Sequence, residues 1–215
     1  NDSLYFHELA TDNSKDILIY KERDTEFNLS ISLSRTKKRL FLQISKTESN
    51  EYRFLDLERN NFELTLFEKR KNKHLYYIDD SPEEFFILSN KNCNNNFALY
   101  TSKLNIFDSS KWKIFKRHKK DELLENFQVF KNYVVLETRK TGLPQLLFIN
   151  KKNKKENYVE FKDSAYAANL SYNENYDSNS FKYEYSSLIT PPTIYSQSFF
   201  SKRRNIKTFF LLDVI

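Results

Sequence analysis

Residues 123–160 read LLENFQVF KN YVVLETR KTGL PQLLFIN KKNK KENYVE. Four apolar or alternating runs, Leu123–Phe130, Tyr133–Arg139, Pro144–Asn150 and Lys155–Glu160, are separated by short polar turns, which is how an antiparallel strand meander reads. The same four-run cycle occurs three more times. One copy is Asn28–Leu33, Arg39–Lys46, Glu51–Asp56 and Glu63–Glu68; the next is His74–Asp79, Glu84–Ser89, Phe97–Ser102 and Lys111–Lys116. The last is Tyr166–Ser171, Ser180–Tyr185, Thr193–Ser198 and Thr208–Leu212. The cycles start at residues 28, 74, 123 and 166, and four strands repeating at roughly 40–50 residues is the rhythm of β-propeller blades. A β-sandwich also supplies many short strands but predicts no four-strand repeat.

The fold expected is therefore all-β, a partial β-propeller of about four and a half four-stranded blades from a seven-bladed ring. Two further runs, Leu4–Leu9 and Ile17–Lys21, make residues 1–24 the outer half of a preceding blade. Successive blades are expected at 25–70, 71–120, 121–162 and 163–215. Lys119–Phe127 is the best helix candidate, and it reads equally well as a loop entering a strand. Pro191-Pro192 falls between two runs, where missing N–H groups do no harm.

Composition narrows the function. With 20 Phe and 14 Tyr, the chain is rich in the bulky rings that suit pleated, half-buried surfaces. Its one glycine, Gly142, rules out motifs that need two: the nucleophile elbow, the Walker A loop and the dinucleotide fingerprint. The one cysteine, Cys93, cannot form an internal disulfide, so a reducing compartment is expected. No secretory signal opens the chain and no apolar run is long enough to span a bilayer. The first residue is Asn1 and there is no methionine, which reads as a piece of a longer chain.

No catalytic, cofactor-binding or metal residues are expected. His7, His74 and His118 lack further ligands at metal spacing and read as surface histidines. Cys93, in the Asn-rich turn 90–96, reads as an inert turn residue. Serines are plentiful, but none stands in a recognisable nucleophile setting. Basic clusters occur at Lys69-Arg70-Lys71, Lys116–Lys120, Lys151–Lys155 and Lys202-Arg203-Arg204. A polyanion site wants such charge on one face. The blade assignment places two clusters between blades and two inside them, at opposite ends, so they read as solvated turns. Nucleic acid and membrane are not expected partners.

Five stretches in the same order resemble the propeller of the prolyl oligopeptidase family of serine peptidases, in particular its oligopeptidase B (protease II) branch. His7–Thr11 with Asp16–Asp24 is similar to H-x-x-G-T…D-x-L-[VI]-Y-E-E-x-D, and Thr47–Asp56 to T-T-S-E-V-R-x-L-D with an extra residue. Ser89-Asn90 followed by Asn96–Tyr100 resembles S-N…N-F-x-L-Y, and Arg139–Leu143 resembles R-x-x-G-L. Tyr183–Tyr195 resembles Y-x-Y-S-S-[ML]-T-T-P-x-T and is the most specific. The resemblance covers essentially the whole chain. It implies a cytoplasmic serine oligopeptidase that cleaves short peptides after Lys or Arg, its propeller capping an α/β-hydrolase domain and restricting entry. The triad and the acidic pocket residues belong to the hydrolase domain, expected to begin shortly after Ile215, so this chain alone is expected to be inactive. Ala10, Ala98 and Asn126 stand where the family commonly has glycine, which would strain any of those backbones that needs φ > 0. A stand-alone scaffold binding a protein or polyanion, and a non-functional remnant of a split gene, are the competing readings.

Overall fold

The computed structural model describes residues 2–59, 61–93, 96–201 and 204–209. The chain divides into two compact units, Asn1–Asn92 with Leu99–Phe115, and Cys93–Ala98 with Lys116–Ile215. In the first, β1 (Ser3–Phe6) and β2 (Ile17–Lys21) form an antiparallel pair. Next come β3 (Asn28–Leu33), β4 (Arg39–Lys46), β5 (Ser49–Asp56) and β6 (Thr65–Glu68), paired in sequence order. A second such meander is β7 (Tyr76–Asp80), β8 (Glu84–Ser89), β9 (Ala98–Lys103) and β10 (Lys113–Lys116). The second unit holds β11 (Glu122–Val129), β12 (Tyr133–Lys140), β13 (Leu143–Asn150) and β14 (Glu156–Tyr158). Its other sheet is β15 (Tyr166–Leu170), β16 (Ser180–Ser187), β17 (Thr193–Ser198) and β18 (Arg204–Phe209). The fold is thus all-β, built from four-stranded meanders.

Differences from the expected runs have local causes. The first run stops at Phe6: Leu9 is 89% exposed, and Ala10 turns the chain at φ 66°. Residues 122–129 are strand, and Glu125 is bulged out where the register shifts between Leu124 and Asn126. The last strand starts at Arg204, opposite Gln197, and not at Thr208. Residues 210–212 of that expected run lie outside the described residues.

Middle strands are buried on both faces, which is why they carry unbroken apolar runs. Val134, Val135 and Leu136 of β12 have no accessible surface, nor have Phe85, Phe86 and Ile87 of β8. Within each unit, aromatic rings lock one sheet to the next. Phe67 of β6 lies 5.0 Å from Phe85, 5.9 Å from Phe107, 6.0 Å from Trp112 and 6.1 Å from Tyr76. In the second unit, Phe148 of β13 lies 5.7 Å from Phe181 of β16 and 5.9 Å from Phe199.

Polar ties fix the register of those contacts. Asn50 acts as a short piece of strand: its Nδ2 donates to the Tyr76 carbonyl (2.7 Å) and its Oδ1 accepts from the Tyr76 N–H (3.0 Å). Asn96 does the same with β11, donating to the Glu122 carbonyl (2.8 Å) and accepting from the Leu124 N–H (3.2 Å). The turn after β3 is held by two adjacent carboxylates at the end of β7. Asp79 accepts from the Arg35 N–H at 2.7 Å, while Asp80 accepts from Thr36 and from Arg39 Nη1 at 2.7 Å.

Turns here make do almost without glycine. Ala10, Lys37, Lys73, Asn92, Thr141 and Lys154 all take positive φ, where a Cβ is strained. Of the three suspected glycine replacements, Ala10 is in that region; Ala98 and Asn126 are not among the positive-φ residues.

Two predictions follow from this geometry. Thr141 (φ 48°) and Gly142 (φ 85°) form the two-residue loop between paired Lys140 and Leu143, the arrangement of a type I′ turn. Thr is β-branched and poorly suited to it, so Thr141→Asn should stabilise the chain by about 1 kcal/mol. Gly142→Ala should destabilise it by about 1 kcal/mol through the backbone alone, because an added Cβ meets nothing within 4 Å. Denaturant melts read both; a neutral Thr141→Asn would refute the strain argument. The second concerns Asp79, whose carboxyl is pushed up to about 7 by burial, with Asp80 adding to the effect. A carboxyl raised in the fold stabilises it below the ordinary carboxylate pKa, and that contribution is lost as pH rises through 7. Asp79→Asn, neutral throughout, should gain on the parent as pH is raised from about 4 to about 8; parallel pH profiles would count against it.

Candidate functional site

The residues with chemical potential are mostly absorbed into the fold. His74 is not a surface histidine: it is 8% exposed, its ring stacks on Tyr76 at 5.3 Å, and Nε2 lies 3.0 Å from Ser89 Oγ. Burial holds it below the usual histidine pKa, with Lys71 and Lys91 pushing the same way. Ser89 has no accessible surface and its hydroxyl also donates to the Leu75 carbonyl at 3.2 Å. Among the described residues, His74 Nδ1 has no hydrogen-bond partner. The pair is buried and serves as a contact inside the fold, Nε2 and Oγ joining the turn before β7 to the end of β8. His7 lies 2.7 Å from Asp16, His118 Nδ1 lies 3.1 Å from the Phe97 carbonyl, and Cys93 is buried. Among the described residues, no three His, Cys, Asp or Glu side chains come together as a metal site would require.

Two of the basic clusters correct the solvated-turn reading. Arg70 reaches Glu22 at 2.8 Å and Glu51 at 3.8 Å, and its guanidinium lies 4.1 Å from the centre of the Phe27 ring. Burial works to raise the pKa of Glu22, but hydrogen bonds from the Asp24 N–H, Tyr20 and Arg70 hold it below the ordinary value. Lys116, 8% exposed, donates to both carboxylate oxygens of Glu156 at 2.7 and 2.9 Å. Both partners are remote in sequence, which is why neither pairing was visible there. The Lys151–Lys155 cluster does form the hairpin between β13 and β14. Lys202 and Arg203 lie outside the described residues.

That hairpin forms one wall of a cleft of about 850 Å³ in the second unit. Its apolar lining is Tyr133, Phe148 and Phe199, all buried; Tyr133 and Phe199 stack at 4.3 Å with ring planes 1° apart. Phe200, 68% exposed, stands edge-on to Tyr133 at 6.1 Å. Lys155, Lys162 and Arg204 line the cleft against one carboxylate, Glu160. Gln197 donates to the carbonyls of Ser198 (2.9 Å) and Ser201 (2.8 Å), which fixes the turn carrying Phe199 and Phe200. Aromatic surface beside many polar and charged side chains gives the cleft the makings of a ligand site. The cleft was not legible in the sequence, because its lining comes from four separate stretches.

Repeated four-stranded meanders tied by aromatic faces define a β-propeller chain, and comparison with known proteins specifies which. Residues 1–209 match the family described as "Prolyl oligopeptidase, N-terminal beta-propeller domain", and the chain belongs to that family. It is 29% identical over 189 residues to dipeptidyl aminopeptidase BI of Pseudoxanthomonas mexicana, covering 88% of this chain and 26% of that protein. Protease 2 of Moraxella lacunata is 27% identical over 192 residues, covering 89% and 27%. The fold is similar to oligopeptidase B from Leishmania major, with a TM-score of 0.89 at 22% identity, over 96% of this chain and 30% of that one. The chain thus spans about a quarter of the length of these curated relatives. No helix among the described residues is long and apolar enough to cross a membrane.

Proposed function

We propose that the chain is the non-catalytic propeller portion of an oligopeptidase B-type serine peptidase, capping an α/β-hydrolase domain and admitting short peptides cleaved after Lys or Arg. The family match over residues 1–209 carries this reading. The fold likeness to oligopeptidase B and the relative named Protease 2 support it. The blades proposed are 25–70, 71–120, 121–162 and 163–215, preceded by an outer half-blade at 1–24. A cytoplasmic setting fits the lone buried thiol of Cys93.

One surface suits docking of the hydrolase domain. Leu188 and Ile189, at the tip of the β16–β17 hairpin, are 95% and 84% exposed. The tip is rigid: Ser187 Oγ accepts from the Ile189 and Thr190 N–H groups, and Thr193 Oγ1 donates to the Pro191 carbonyl at 2.7 Å. Residues 186–193 carry no charge in a chain that is 30% charged. Thr193 pairs with Phe209, so β18 ends beside this tip. A rigid, uncharged aliphatic knob loses little entropy on burial.

Two tests bear on this reading. The purified chain should not turn over arginyl or lysyl esters and amides, and robust turnover blocked by a serine-reactive reagent would refute it. Leu188→Asp with Ile189→Asp should leave the melt of the chain within about 0.5 kcal/mol, yet weaken binding to the separately produced hydrolase domain about tenfold or more. Undiminished binding would remove the knob from the interface.

A further inference from the structure

We infer that the cleft between the β13–β14 hairpin and the β17–β18 turn is a binding site for a short acidic peptide carrying an aromatic side chain. The inference concerns a surface of this chain and stands apart from the peptidase reading. Its first support is the polarity of the lining. Asn150 Oδ1 already accepts from the N–H groups of Lys152 and Asn153 at 2.9 and 3.1 Å, and Asn153 Oδ1 accepts from Lys155 N–H at 3.0 Å. With their oxygens committed to the turn, these amides offer their NH₂ groups. Lys155 and Lys162 meet no carboxylate among the described residues. Arg204 reaches the Glu160 carbonyl at 3.5 Å and the Tyr195 ring at 5.4 Å, and after the hydrogen bond from Tyr185 its charge helps hold the Asp163 carboxyl below the ordinary value. The lining is therefore rich in donors and net positive, and it matches a ligand rich in acceptors and negative charge.

The second support is shape. The ladder beside the cleft runs from the Asn150 N–H bond to Lys155 through to the Val159 N–H bond to Leu146. Strand rise makes that stretch roughly 13 Å long. Lys155 lies at one end of it and Lys162 beyond the other, so the cations are strung out and do not converge on one point. An extended chain with carboxylates at intervals fits that spacing better than one compact anion. The stacked Tyr133–Phe199 pair and the exposed Phe200 ring give an aromatic side chain edge-on or stacked partners.

The test is fluorescence anisotropy of the full chain with fluorescein-labelled Glu-Phe-Glu-Asp amide, at low and high salt. Saturable binding that weakens with salt is expected. Lys155→Glu with Lys162→Glu should weaken it about tenfold or more, and Phe200→Ala should weaken it severalfold. All three side chains are exposed, and an unchanged melt will show that each variant is folded. Absence of saturable binding, equal binding by the charge-reversed variant, or equal binding of Lys-Phe-Lys-Lys would overturn the inference. So would tight binding of ATP by a chain that does not bind the acidic peptide, which would assign the cleft to a nucleotide.

Discussion

A four-stranded meander has two apolar faces and cannot cover either by itself; every other feature of this chain answers that constraint. Sheets packed face to face stand about 10 Å apart, a gap that aromatic side chains are large enough to bridge. Phe67 shows the solution most clearly, with Tyr76 and Phe85 of the following sheet and Phe107 and Trp112 of its β9–β10 connection within about 6 Å. The second unit repeats it with Phe148, Phe199 and Tyr183 around a wholly buried Phe181. The buried Phe and Tyr rings are thus what hold neighbouring sheets of a unit together.

Aromatic packing is strong but weakly directional, so register has to come from elsewhere. The amide ties of Asn50 and Asn96 supply it, each pairing with the backbone of a strand, β7 or β11, as a neighbouring strand would. Buried carboxylates do the same for turns, as Asp79 and Asp80 do for residues 35–39. Such groups are costly to leave unpaired and therefore specify one arrangement. At the β16–β17 tip, the hydrogen bonds of Ser187 and Thr193 do the same for the exposed Leu188-Ile189 turn.

Much of the fold was legible because the strand period and the turn residues are local signals. All four cycles fall on the four-stranded sheets, and the Thr141-Gly142 turn stands in the gap between the expected runs Tyr133–Arg139 and Pro144–Asn150. What escaped was non-local. Arg70, Lys116 and His74 look like surface residues by sequence. Their partners or cover lie 15 to 48 residues away, at Ser89, Glu156 and Glu22, and no spacing rule reaches that far. The amide ties escaped for the same reason, since Asn50 and Asn96 read only as members of family-like stretches. The cleft required the hairpin at 151–155 to meet the turn at 199–201, a juxtaposition that only the packed sheets create.

The claim that ring contacts between sheets hold each unit together is tested most directly at Phe67. Truncating a fully buried phenylalanine to alanine costs about 3–5 kcal/mol when its surroundings cannot collapse. Amide hydrogen exchange on the Phe67→Ala chain should show protection falling together in β4, β5, β8 and β9, because both sheets lose the packing that joins them. Protection lost in β6 alone, with β8 and β9 unchanged, would mean that the sheets stand without the aromatic lock and would contradict the account.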